Sequence, residues 1–294
     1  MRTMVAAVAF AVVVTGLAAS LVGCGAASGS AGSPQVVAET SFLADIIQNI
    51  AGNRLQVASI VPVGADPHSF DPSPRDAVRV AKARAVAIIS PGFEPPIDDL
   101  IAGAGSKDRL TIDVSAGLPD VQADPHYWLD PTKVIIYVDN IRAGLTTIDP
   151  AGAAVFAANA SAYQQRLREL DVWIAQRVAA IPPARRLLVT NHESFGHFAA
   201  RYGFTVVGSI LPSADSEAAP SGHKLADLVK AIKQTGAPAI FLETGNLPDL
   251  ADQLARETGI KVITDLYTHS VGPDAPTYID MMHWNVDHIV EALK

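Results

Sequence analysis

The sequence predicts an α/β protein of two lobes, each a roughly four-stranded parallel sheet with flanking helices, joined by one long backbone helix. Three observations predict it. Short β-rich runs alternate with helical patterns, which implies parallel sheets covered on both faces. The stretch from Asp149-Pro150 to Pro182-Pro183 breaks that alternation, with no strand signal and no internal proline. Four strand candidates precede this stretch and four follow it.

The elements run in this order. Arg2 is the only charge ahead of an apolar run from Val5 to Val22, so residues 1–23 read as a signal peptide. Leu21-Val22-Gly23-Cys24 resembles a bacterial lipobox, with Cys24 as the acylated first residue of the mature chain; an uncleaved membrane anchor is the alternative. Residues 24–34 are then a small, polar, lipid-anchored linker. Residues 35–148 form the N-terminal lobe, with strand candidates Gln35–Thr40, Leu55–Val61, Ala85–Ser90 and Leu110–Val114. Helices are expected at Phe42–Ile50 and Ser73–Arg84, the second opened by Ser73-Pro74-Arg75-Asp76: a capping hydroxyl, proline at the first helical position and an acid in the first turn. Residues 149–183 are the connecting helix, because Phe156, Tyr163, Leu167, Leu170, Ile174 and Val178 recur at helical spacing. Residues 184–294 form the C-terminal lobe, with strands at Leu187–Asn191, Phe204–Ile210, Ala239–Glu243 and Lys261–Asp265. Its helices are Leu225–Thr235, Leu247–Glu257 and Tyr278–Leu293, and Gly236 and Gly259 stand where C-caps belong.

Composition narrows the function. The 294 residues carry 30 acids against 22 bases, a formal charge of −8, which argues against nucleic acid as a partner. With 49% hydrophobic residues the chain is not disordered. One cysteine excludes a disulfide framework and any multi-thiolate metal site.

Open parallel sheets place ligands beyond the carboxyl ends of their strands. His68 lies there in Gly64-Ala65-Asp66-Pro67-His68, His126 in Asp124-Pro125-His126-Tyr127-Trp128-Leu129-Asp130-Pro131, and His192 in Asn191-His192-Glu193-Ser194. Asp265 ends the Lys261–Asp265 strand. Three imidazoles and a carboxylate suit a borderline divalent metal. Asp66 and Asp124 each stand two residues before a histidine, where an acid can orient the ring through its second nitrogen. Glu193 and Glu243 are candidates for an outer or alternative role, and His269 reaches the site if its loop folds back. Ordinary loop histidines are the bland reading.

These motifs resemble those of the metal-binding receptors of bacterial ABC importers for zinc and manganese, the type with a long backbone helix. Gly64–Asp76 is similar to the first motif of that family, and Asp124–Pro131 to its Asp-Pro-His-x-Trp-Leu-Asp-Pro motif. Leu188–Phe204 resembles the third, Val262–Gly272 the fourth, and Tyr278–Leu293 the closing helix through Met282 and Asn285. The resemblance implies His68, His126, His192 and Asp265 as metal ligands. It also implies Zn2+ or Mn2+ as transported cargo, and an ABC permease with its ATPase as partner. The chain would work as a monomer outside the cytoplasmic membrane. Two features depart from the pattern: His197 stands where tyrosine is usual, and residues 69–125 contain no histidine.

Other chemistries fit less well. His192-Glu193 with His197 places the second histidine at i+5, off the single helix face that a zinc-protease motif needs. No phosphate-cradling Gly-rich loop is present. A secreted zinc hydrolase with Glu193 or Glu243 as general base is the rival from a different class. Nitrogen-rich donors tilt the cargo toward zinc, with manganese as the alternative.

Overall fold

The computed structural model describes residues 35–106, 108–119, 121, 123–211, 222–243 and 248–294. The expected signal peptide, Cys24 and linker lie outside these residues. Eight strands form two four-stranded parallel sheets. The first holds β1 (Val36–Ala38), β2 (Val57–Ser59), β3 (Ala85–Ile88) and β4 (Leu110–Asp113), in the order β2-β1-β3-β4. The second holds β5 (Leu187–Thr190), β6 (Thr205–Ser209), β7 (Ala239–Glu243) and β8 (Lys261–Leu266), in the order β6-β5-β7-β8. Each expected strand is present to within two residues at either end, and the two sheets repeat one topology.

Nine helices are found among the described residues. They are α1 (Ser41–Ala51), α2 (Pro74–Lys82), α3 (Pro95–Gly103), α4 (Pro131–Ile148), α5 (Ala153–Val178), α6 (Gly196–Tyr202), α7 (Gly222–Thr235), α8 (Pro248–Thr258) and α9 (Tyr278–Leu293). Helices α3, α4 and α6 are additional to those expected from the sequence. The start signal of α2 forms as expected: Asp76 folds back to accept the Ser73 backbone N–H at 2.9 Å and its hydroxyl at 2.5 Å. Gly236 and Gly259, at φ +72° and +77°, close α7 and α8.

The connecting helix is shorter than expected. One 3₁₀ turn at Pro150–Gly152 precedes α5, which runs 26 residues and stops at Val178 instead of filling residues 149–183. At about 1.5 Å per residue it is roughly 39 Å long. Its buried side is Phe156, Ala160, Tyr163, Leu167, Leu170, Ile174 and Val178.

That side belongs to one continuous apolar core. Side chains from α1, α4, α5 and α9 pack with Val36, Ala85 and Ile112 of the first sheet and with Leu188, Ala239 and Phe241 of the second. Each sheet also has a private core on its other face: Val86, Ile88 and Val80 under the first, Val189, Ile240 and Leu254 under the second. Both sheets are therefore covered on two faces, as all-parallel sheets require. Their carboxyl ends deliver loops to a common seam.

Candidate metal centre

Short, locally capped turns deliver two of the four clustered histidines. After β2, the Asp66 carboxylate accepts the His68 backbone N–H at 3.0 Å and starts a 3₁₀ turn at Pro67–Ser69. After β4 the same device recurs: Asp124 accepts the His126 backbone N–H at 3.0 Å, ahead of a 3₁₀ turn at Tyr127–Leu129. The Asp-Pro-His spelling suits this because the carboxylate bonds two residues on while proline fixes φ between. His192 lies two residues past the end of β5. His269 lies three residues past the end of β8, on a segment pinned by the first half of the chain. The Trp128 indole donates to the Thr268 carbonyl at 2.6 Å, and Ser270 Oγ sits 2.9 Å from Ser41 Oγ while accepting the Gly64 N–H at 2.7 Å.

His68, His126, His192 and His269 converge, with one ring nitrogen of each lying within 4.8 Å of the others. The Nε2 atoms of His68 and His269 face each other at 3.2 Å, and those of His192 and His126 at 3.3 Å. His126 and His192 are fully buried. A small cleft bounded by Gly64–Asp66 on one side and Thr268–Ser270 on the other adjoins His269.

Each outer ring nitrogen meets a carboxylate. His68 Nδ1 lies 2.6 Å from Glu94 Oε1, and His126 Nδ1 lies 2.9 Å from Asp124 Oδ1. Glu243, at the end of β7, serves two rings: Oε1 is 2.8 Å from His192 Nδ1 and Oε2 is 3.1 Å from His269 Nδ1. A carboxylate facing Nδ1 holds the proton there and turns the Nε2 lone pair inward. Four inward lone pairs repel one another unless a cation or shared proton lies between them.

The electrostatics follow from burial and these partners. Burial pulls the His126 imidazolium down to about 3, more than Asp124 restores. His269 is lowered in the same way, by burial first and by His68 and His192 nearby, against the pull of Glu243. At His68 burial is outweighed by Glu94, and the net shift is upward. Burial would raise Glu243, yet the two imidazoles beside it bring it well below the usual carboxylate range. The His126 and His269 imidazoles are thus held neutral inside a negative surround.

Such a set fits a nitrogen-preferring divalent cation. Four-coordinate zinc with bonds of about 2.05 Å has nitrogen–nitrogen edges of about 3.3 Å, and two opposite edges of this cluster already have that length.

Of the expected site residues, His68, His126 and His192 come together and Asp265 does not join them. Asp265 lies within β8, one residue before its end, and is exposed; its Oδ2 accepts the Thr264 hydroxyl at 3.1 Å. His269 occupies the fourth corner instead. Asp124 and Glu243 contact imidazoles, whereas Asp66 caps the His68 backbone and Glu94 contacts its ring. Glu193 is exposed. Glu94 went unnoticed in the sequence; its signal was an acid past the end of β3, just before Pro95-Pro96. Three of the remaining histidines have ordinary surroundings: His283 meets the Trp173 ring, His288 bonds the Trp284 carbonyl, and His223 is exposed.

Comparison with known proteins bears on this geometry. Residues 36–292 match the family described as zinc-uptake complex component A, periplasmic. The manganese-binding lipoprotein MntA of Halalkalibacterium halodurans is 34% identical, with 98% of this chain and 99% of that protein covered. The metal ABC transporter substrate-binding lipoprotein FimA of Streptococcus parasanguinis is 30% identical over 92% of each chain. Among solved structures, the periplasmic zinc-binding protein TroA of Treponema pallidum superposes with a TM-score of 0.80 at 28% identity, covering 89% of this chain and 99% of that one.

Proposed function

The chain belongs to the zinc-uptake component A family of periplasmic metal-binding proteins, and from that premise we propose that it captures zinc at His68, His126, His192 and His269 and delivers it to an ABC permease with its ATPase. The observation that carries the choice of residues is the convergence of four Nε2 atoms, each with its Nδ1 against a carboxylate. The donor set is all nitrogen, which favours zinc over the oxygen-preferring manganese. Manganese is the second reading, supported by the likeness to the manganese-binding lipoprotein MntA.

Residues 1–23 act as a leader and Cys24 carries the lipid anchor, with residues 24–34 as the tether. No helix among the described residues is long and apolar enough to cross a membrane. Bond chemistry is not proposed. The Glu243 carboxylate a hydrolase would need as a base already holds two imidazoles, and Ser194 Oγ is buried, 3.5 Å from that same carboxylate.

Elemental analysis of protein purified without chelator, followed by competition among zinc, manganese and iron, tests the cargo. Zinc at a hundredfold over its dissociation constant stabilises the fold by about 2.7 kcal/mol. The midpoint of thermal unfolding then rises by about 5–10 °C. No shift at pH 7.5 with any of the three metals overturns the proposal; a shift with manganese alone replaces zinc as the cargo.

A further inference from the structure

We propose that the Gly196–His197 turn, at the start of α6, positions the ligand His126 from across the seam by gripping Asp124; this rests on the metal-receptor reading above. His126 owes its orientation to Asp124, whose Oδ1 takes both its backbone N–H and its Nδ1. The Asp124 carboxylate is itself about a quarter exposed, with a side-chain accessibility of 27%, so something besides burial must hold it still.

The second sheet's half of the chain supplies that hold. His197 Nε2 bonds the Asp124 carbonyl at 3.0 Å and lies 3.5 Å from its Oδ2. Its ring lies flat on Tyr127, with centroids 3.7 Å apart and planes at 19°, directly after His126 in sequence. Beside it, Gly196 leaves room that the carboxylate uses: a Cβ there would stand 2.5 Å from Asp124 Oδ2. Residues 124–127 are thus held by the α6 turn at a carbonyl, a carboxylate and a ring. Imidazole orientation in one half of the molecule depends on two residues of the other half. His197 touches no donor nitrogen of the cluster in this arrangement, so it is a positioning residue.

Three substitutions in the full chain separate positioning from mere packing, with zinc chloride competed against a fluorescent chelator. His197→Phe keeps a ring on Tyr127 but removes the donor; zinc affinity is expected to fall about tenfold. His197→Gln places an amide N–H near the position of Nε2 and is expected to restore affinity to within about threefold of the unaltered chain. Gly196→Ala drives a methyl at Asp124 Oδ2 and is expected to weaken zinc as much as His197→Phe. The Nδ1–H proton resonance of His126 in the zinc-loaded protein should shift in His197→Phe and Gly196→Ala and return in His197→Gln. Unchanged affinity in His197→Phe, an unmoved resonance, or failure of glutamine to rescue overturns the inference while leaving the receptor reading intact. Failure of the unaltered chain to bind zinc overturns both.

Discussion

The two sheets share one strand order but equip their histidines differently. In the first half each imidazole has its own acid: Glu94 for His68 and Asp124 for His126. In the second half a single buried Glu243 holds both His192 and His269. Separate partners let one ring turn without disturbing the other. A shared partner ties two donors together, because one carboxylate has two oxygens and both are committed. The same fold therefore contributes an adjustable pair and a coupled pair to one cluster.

The largest effect that sharpens this contrast concerns membership of the coupled pair. Replacing His269 by alanine removes a donor, and zinc affinity is expected to drop about a hundredfold or more, taking roughly 3 kcal/mol for one of four structural-type ligands. Asp265→Ala, on the exposed side of β8, is expected to leave affinity unchanged. Chelator competition on the two variants decides it, and the reverse ranking would restore the aspartate to the site.

Next in size is the cost of losing the shared acid. An amide has one acceptor oxygen, so Glu243→Gln can satisfy only one of two Nδ1–H groups. Isothermal titration with zinc should show a loss of about a hundredfold for Glu243→Gln. Glu94→Gln should lose about tenfold. Equal losses would mean that His192 and His269 are held independently after all.

Smallest per step of the variable changed is the response to acid. The His68 pKa is raised, so a proton competes for its Nε2 below that raised value; affinity is full above it and falls as pH drops through it. His126, held at about 3, does not compete in the same range. Zinc affinity should therefore weaken by about tenfold per pH unit once His68 begins to protonate. Glu94→Gln, which removes the partner that lifts His68, should move that onset to lower pH. Competition titrations between pH 8 and pH 5 measure both.

Much of this was legible in the sequence. Strand alternation located the eight strands of the two sheets, and the Asp-Pro-His spelling marked two members of the histidine cluster because the capping that makes those turns is local. Helix α4 carries a legible pattern too, in Val134, Tyr137, Val138, Ile141 and Leu145 behind the Asp130-Pro131 start. The fourth member of the histidine cluster is not legible in this way, for a physical reason. An aspartate near the end of a strand offers the negative charge a cation needs, and that argument favoured Asp265. The structure places the negative charge one layer out, on Glu94, Asp124 and Glu243, and leaves the inner layer to imidazoles. The position of His269 depends on Trp128 and Ser41, 141 and 228 residues away in the chain. No local pattern encodes such a tie.

Trp128 offers one more consequence. Its buried indole lies with ring centroids 5.0 Å from His126 and 5.7 Å from His269, while Trp173 meets His283 edge-on and Trp284 meets His288 at a tilt. The chain thus carries a built-in optical gauge at the seam. A chain with both distant tryptophans replaced by phenylalanine would emit from this one ring, and quenching by a paramagnetic ion such as cobalt would register arrival and departure of cargo without any attached dye.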